Sequence, residues 1–283
     1  MAQKSFPLVA MDTCFFTELG WYPFAIRQEI ARWAGYAGSY LTLWESGYKP
    51  DWRAQSLRDL PALRKLRGGI VYAALELDKP FDRGDNGQFL ELLRKGHLPR
   101  EIELSVQGGR YRCSDAAKDK KFIQWFELAR PWLEKYRITL SLYPHQNFWV
   151  ERVEDAVRLC KKIHHPRLKA VFNLFHWFIV DGADLNGKIQ LAKPWLGGVQ
   201  VTGLGRVGHV NPIYSFQALD EGILDLFTVL CLLKQHAYRG RITVQGFGMG
   251  GDVAGKLQRS ARFFRMLEKR WPRRSHWHSN GAK

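Results

Sequence analysis

The 283-residue chain has little that would fix its chemistry by itself. Its four cysteines, Cys14, Cys113, Cys160 and Cys231, stand singly with no Cys-x-x-Cys pair, which argues against a zinc ribbon or a disulfide framework and fits a reducing compartment. No stretch reaches the ~18 uninterrupted apolar residues of a membrane span. The start, Met1 to Pro7, has no apolar run leading to a small-residue cleavage site. The expectation is a soluble, cytoplasmic protein. There is no Gly-x-Ser-x-Gly elbow and no His-Glu-x-x-His helix, so ordinary serine-hydrolase and zincin chemistry are not indicated. Acidic residues are also scarce, 27 against 43 basic ones, for a formal charge of +16. Such an excess serves a nucleic acid, a membrane surface or an anionic substrate. It also arises from solvated helical faces, as at Arg58, Arg64, Lys65 and Arg67 or Arg158, Lys161 and Lys162. We expect the solvating role.

What is present is an alternation of short apolar strands with amphipathic stretches along the whole chain, the pattern of a parallel sheet with crossover helices. Eight units are counted, with strands over residues 8–13, 39–44, 70–77, 101–106 and four further runs beginning at Ile138, Leu168, Gly198 and Ile242. Helices are expected over 24–34 with Phe24, Ile26, Ile30 and Trp33 on one stripe, over 118–136 with a break or kink near Pro131, and over 153–163, 185–192, 223–236 and 253–271. No linker, charge block or composition shift divides the chain, so the expected fold is one α/β unit, a single (β/α)₈ barrel over 1–272, which typically needs roughly 250 residues. Residues 273–283 read as a basic, disordered tail.

In such a barrel the C-terminal ends of the strands line the active face. That rule selects Asp12, Glu45, Glu76, Gln107, Tyr143, His145, Asn173, His176, Gln200, Thr202 and Gln245. The last four strands end in Tyr143-Pro-His145, Asn173-Leu-Phe-His176, Gln200-Val-Thr202 and Gln245-Gly. Their order and the Asn-x-x-His pair resemble the xylose-isomerase-like superfamily of sugar isomerases and epimerases, a (β/α)₈ or TIM-barrel group that also includes apurinic-site endonucleases. The resemblance implies a divalent cation held by Glu, Asp, His and Glu at the four positions occupied here by Tyr143, Asn173, Gln200 and Gln245. In metal-dependent members the cation binds two vicinal sugar oxygens and the two glutamates shuttle protons. Neutral amides bring no charge to a hard cation and a free phenol titrates near ~10, so no metal is expected. A remnant site for Mn, Zn, Fe or Mg, built on His145, His176 and one carboxylate, is the alternative.

The substituted set makes a ring of hydrogen-bonding groups among aromatics, Trp44, Tyr143, Phe148, Trp149, Phe175 and Trp177, in a chain with 11 tryptophans. Apolar ring faces with directed polar groups suit a polyol, and each ring could equally belong to the helix–barrel core. His145 has a plainer reading as a strand cap after Pro144. Gly246 to Gly251 matches G-x-G-x-x-G and Gly250 to Lys256 begins a Walker loop, but no Ser or Thr follows Lys256. That loop reads instead as an oxyanion cradle at a helix N-terminus or as a flexible turn.

The leading expectation is a carbohydrate-active isomerase, epimerase or lyase acting on a sugar, keto-sugar or sugar phosphate. In that reading His145 and His176 transfer protons, Glu45 and Asp12 are their carboxylate partners, and Tyr143, Asn173, Gln200, Gln245, Trp44 and Glu76 bind substrate. A non-catalytic sugar-binding barrel is the second reading and a nucleic-acid-directed protein the third.

Overall fold

A computed structural model describes residues 5–17, 19–44, 51–208 and 213–277. Eight parallel strands form one sheet: β1 (Leu8–Ala10), β2 (Ser39–Thr42), β3 (Gly69–Glu76), β4 (Glu101–Gln107), β5 (Thr139–Leu142), β6 (Leu168–Asn173), β7 (Leu196–Val201) and β8 (Ile242–Val244). Each pairs with its sequence neighbour, and β8 returns to pair with β1. A parallel bridge between Val9 and Gly38, with the Ala37 amide donating to the Leu8 carbonyl at 2.7 Å, closes the ring between β1 and β2. The backbones meet there because Gly38 has no side chain: a Cβ would lie 2.8 Å from the Gly68 carbonyl oxygen. The fold is a single (β/α)₈ TIM barrel.

Nine helices among the described residues surround it: α1 (Phe24–Trp33), α2 (Trp52–Arg64), α3 (Gly84–Arg94), α4 (Asp119–Lys135), α5 (Val153–Ile163), α6 (Leu174–Val180), α7 (Leu185–Ala192), α8 (Leu226–Gln235) and α9 (Val253–Arg274). They bury one stripe each, as α9 does with Val253, Leu257, Ala261, Phe264 and Leu267 at helical spacing. No described helix is long and apolar enough to cross a membrane.

Several expectations need correction. α4 runs unbroken through Pro131, which sits on the exposed side where water can take the carbonyl that proline leaves unpaired. In α1 the buried face is Phe24, Arg27 and Ala31, whereas Ile26 and Trp33 are exposed; a buried arginine masks the apolar period. The first strand stops at Ala10, and residues Asp12–Phe15 form a 3₁₀ turn. At the other end α9 continues through Arg273 and Arg274 into a short turn, Ser275–Trp277, since cations in a last helical turn oppose the dipole. The expected tail at 273 therefore begins with helix, and 278–283 lie outside the described residues. Two hairpins were not anticipated: Phe16–Thr17 with Gly20–Trp21, and Gly203–Val207 with Ile213–Gln217.

The barrel interior is not wholly apolar. Glu103 on β4 is completely buried, and its carboxylate takes Arg241 Nη2 at 2.6 Å, the Tyr40 hydroxyl at 2.6 Å and the Gln200 amide. Arg241, just before β8, also holds Glu101 at 2.5 Å and the Gly197 carbonyl at 2.6 Å. Burial disfavours the guanidinium charge, but Glu103 and Glu101 outweigh that and raise its pKa. Breaking a buried pair from one side strands the other charge, at a cost of about 3–5 kcal/mol. Arg241→Met should therefore lower the urea-unfolding free energy by about that much, and Arg241→Met with Glu103→Gln should recover much of it. Additive losses in the double variant would show that the pair is not coupled.

Candidate active site

The C-terminal strand ends assemble a hydrogen-bonded quartet from four neighbouring strands. The Asn173 amide donates to the Tyr143 hydroxyl at 2.6 Å and to Gln245 Oε1 at 3.0 Å, with a longer approach to Gln200 Oε1 at 3.4 Å. The Gln245 amide donates to the Tyr143 hydroxyl at 3.0 Å, and that hydroxyl donates to Gln200 Oε1 at 3.1 Å. Gln200 passes its own N–H down to Glu103. The Asn173 oxygen caps α6 by accepting the His176 amide at 2.9 Å. All four side chains are buried. Desolvation, with Tyr72 and Glu103 nearby, holds the Tyr143 phenol well above its ordinary pKa, so it stays protonated.

Over this quartet lies a cavity of about 420 Å³. Its walls include Trp44, Tyr72, Phe16, Phe175, Phe216 and Phe247, and its polar lining comes from Thr13, Thr42, Tyr143, His145, Gln146, His176 and Gln245. No charged side chain is among the described lining. Phe216 reaches it from the second hairpin, packed on Phe175 with the rings tilted by 39° and 4.4 Å between centroids.

His145 lies between Phe148 at 4.1 Å and His176 at 4.0 Å between ring centroids. Its Nδ1 is 2.8 Å from the Gln146 carbonyl, and the Gln146 amide donates to His176 Nδ1 at 3.3 Å. His176 Nε2 is buried without a hydrogen-bond partner. Desolvation lowers the His145 pKa to about 4, only partly opposed by its backbone hydrogen bond. Desolvation and the neighbouring His145 take His176 well below the ordinary imidazole value. Both rings are neutral at pH 7.

The structure thus brings Trp44, Tyr143, His145, His176 and Gln245 to one cavity, with Asn173 and Gln200 beneath it. Of the others that are described, none lines it. Asp12 turns away: Oδ1 accepts the Thr42 hydroxyl at 2.6 Å and Oδ2 the Thr42 amide at 2.7 Å, with Arg27 at 3.6 Å. Its pKa is raised to about 6 because desolvation outweighs Arg27 and Thr42. As a partner for the histidines Asp12 is corrected to a clamp between the β1 end and β2. Glu76 and Gln107 end β3 and β4 without lining the cavity, and Thr202 bonds its neighbour Gly203. Glu45 lies outside the described residues. Trp149 belongs to the core, packed on Phe122 with its N–H on the Asp115 carbonyl. In the glycine loop, Gly248, Gly250 and Gly251 take positive φ, and Asp252 caps α9 through the Gly255 amide at 3.0 Å. A carboxylate therefore holds an amide that an oxyanion cradle needs. Sequence reading missed Tyr72, Phe16, Phe216, Phe247 and Gln146, and nothing local marks them.

Three neutral amides, a phenol and two neutral imidazoles do not match the anionic oxygen set that a hard cation prefers. Among the described residues no group of three or more His, Cys, Asp and Glu could hold a metal ion.

A cavity at the C-terminal mouth of a closed (β/α)₈ barrel defines a protein with a small-molecule site on its active face. Residues 97–267 match the family described as xylose isomerase-like TIM barrel, and the chain belongs to that family. Proteins provisionally named hydroxypyruvate isomerase are 26% identical over 129 residues in Mus musculus and 27% over 135 in Homo sapiens. Each match takes in 46% of this chain and 40% of the relative, so it spans about two fifths of their length. An L-ribulose 3-epimerase structure superposes with a TM-score of 0.71 at 12% identity, covering 96% of this chain and 97% of its own. A 3-keto-D-glucoside 4-epimerase from E. coli gives 0.67 at 11% identity, covering 93% and 100%. These structural likenesses establish the fold.

The neutral histidines make stability depend on pH. An unfolded imidazole titrates near ~6.5 and folded His145 near about 4. Between those values the unfolded chain binds the extra proton, so this contribution is full above pH ~6.5, declines as pH falls and levels off below about 4. Asp12, raised to about 6, acts in the opposite sense and cancels in a comparison with a variant. Urea unfolding at stepped pH should show wild type losing stability relative to His145→Gln across this window; parallel curves would refute a buried neutral His145.

Proposed function

We propose that this chain is a carbohydrate-active enzyme of the isomerase, epimerase or lyase type that acts on an uncharged sugar or keto-sugar by metal-independent proton transfer. One observation carries the reading: the cavity joins aromatic walls to two neutral histidines and has no charged side chain in its described lining. Aromatic faces stack on the CH patches of a sugar, and Tyr143, Gln245, Thr13 and Thr42 offer directed hydrogen bonds to hydroxyls. A phosphate or carboxylate would lose its hydration there and meet no cation among the described lining. For that reason we do not carry hydroxypyruvate, a carboxylate, over from the mouse and human relatives. What supports an isomerase or epimerase class is family membership together with these relatives' names.

Within the proposal His145 and His176 move protons, Trp44, Tyr143 and Gln245 contact the ligand, and Asn173 and Gln200 hold Tyr143 and Gln245 from beneath. Metal independence rests on the donor chemistry of the quartet. A second reading, a sugar-binding barrel without turnover, is favoured by one feature: imidazoles of such low pKa are weak bases. The nucleic-acid reading has only the +16 charge behind it.

The test is a panel of free and phosphorylated sugars followed by thermal shift and by NMR of the products. Unphosphorylated sugars should bind and turn over, chelator should leave the rate unchanged, and Trp44→Ala should weaken binding by about tenfold, or ~1.4 kcal/mol. Binding without any product would select the second reading. A clear preference for phosphorylated sugars, or abolition of turnover by chelator, would refute the first.

A further inference from the structure

The positive charge of the chain is unevenly placed on the barrel. Each helix carries the chain back from the C-terminal mouth, so the loops that lead from helix to strand lie together on the N-terminal face. The loops after α2, α3, α4, α5, α7 and α8 each contain Lys or Arg, and none of them contains Asp or Glu. Lys65, Arg67, Arg100, Arg137, Lys193 and Arg239 are exposed there, and none makes an ion pair among the described residues. The carboxylates at this end, Glu91, Glu101, Glu134 and Glu268, each have an arginine within 4 Å already. At the other mouth the strand-to-helix loops mix both signs, with Asp78, Asp82, Asp115, Glu151, Asp220 and Asp252 among their cations.

A cation in a last helical turn is accounted for by the helix dipole, whose influence fades within that turn. Arg67, Arg100, Arg137 and Arg239 lie past their helix ends at Arg64, Arg94, Lys135 and Gln235. A coat that served only solubility would also have no reason to favour one mouth. Helix α9 adds to the same end. The Phe6 amide donates to Glu268 and Arg265 donates to the Phe6 carbonyl, both at 2.8 Å, which sets that level of α9 beside the entry to β1. The helix runs on through Lys269, Arg270, Arg273 and Arg274.

Large apolar groups are exposed among these cations. Trp33, 60% exposed, ends α1, and Leu66 stands between Lys65 and Arg67. The two elements adjoin, since Arg32, Leu66 and Arg67 line one small cavity with Tyr36. Trp277, 59% exposed, follows α9 with the Arg274 guanidinium 4.9 Å from its ring.

We infer that the N-terminal face of the barrel is a docking surface for an anionic lipid bilayer, on which the protein sits with its C-terminal cavity turned to the water. Lipid phosphates attract the exposed arginines and lysines over a plane, and the headgroup layer takes up tryptophan and leucine. A nucleic-acid duplex offers the charge without an apolar layer to receive Leu66 and the tryptophans. Docking by this face leaves the cavity over the quartet open to a soluble ligand, whatever its chemistry there.

The test is cosedimentation of the full chain with vesicles of phosphatidylcholine, alone or mixed with phosphatidylglycerol, at stepped salt. Binding should require phosphatidylglycerol and weaken as salt rises. Arg67→Gln, Arg100→Gln and Arg137→Gln should each weaken it by about fivefold. Arg112→Gln and Arg206→Gln, on loops of the opposite mouth, should leave it unchanged. Trp33→Ala with Leu66→Ser should weaken it further in a way that salt does not reproduce, and unchanged melting of each variant would show that the fold is kept. Failure to bind phosphatidylglycerol vesicles would overturn the inference, as would equal losses from variants at both mouths. Tighter binding to duplex DNA than to vesicles, indifferent to Trp33→Ala with Leu66→Ser, would also overturn it and assign the face to nucleic acid.

Discussion

The upper end of this barrel rests on a charge buried in its interior. Glu103 sits where the β-strands leave no route to water, and Arg241 is the cation that makes its ionised form tolerable. From that pair a run of hydrogen bonds climbs through Gln200 to Tyr143, Asn173 and Gln245. Each member is oriented by the one below. A buried amide has two ways to point its oxygen and nitrogen, and the carboxylate of Glu103 settles the choice for Gln200 by demanding a donor. The phenol above then meets an acceptor, and the rest of the quartet follows. Networks of this kind are stable only when every member is satisfied, and this one is anchored from the base of the barrel upward.

The phenol and amides at the four strand ends do more than stand where the resemblance implies three carboxylates and a histidine. Three carboxylates and an imidazole this close, the set the resemblance implies, would need a cation to offset the carboxylates' repulsion. Amides and a phenol can instead pair with each other, and the geometry has them doing so. A carboxylate lies one layer lower, at Glu103, paired with Arg241. The described face of the cavity is neutral and aromatic, and the groups on it whose ordinary pKa lies near neutrality are two imidazoles that burial keeps uncharged.

Much of the architecture was legible because strand runs such as residues 70–75 are apolar on both faces and end abruptly in a polar residue, Glu76. Convergence of Tyr143, Asn173, Gln200 and Gln245 followed from the barrel rule alone. The rest was hidden for identifiable reasons. α2 carries Pro61 and buries Ser56 beside its leucines, so its stripe is not apolar. α3 opens with Gly84, Asp85, Asn86 and Gly87, which read as a turn. Asp12 falls at a strand end, but the backbone turns into a 3₁₀ helix there and sends its carboxylate to Thr42. Glu103 and Arg241 are 138 residues apart and sit in mid-strand and pre-strand positions that no motif marks. The role of Gln146 is carried by its backbone, so its identity left no trace to read.

Phe216 belongs to a two-stranded hairpin that is not part of the eight-stranded sheet, yet it lines the cavity and packs on Phe175 at the start of α6. One wall of the cavity is therefore borrowed from an appendage of the barrel. Side-chain changes there reshape the space at the barrel mouth without touching the strand ladder or the hydrogen bonds of the quartet. The size of the opening and the stability of the barrel thus reside in separable parts of the chain.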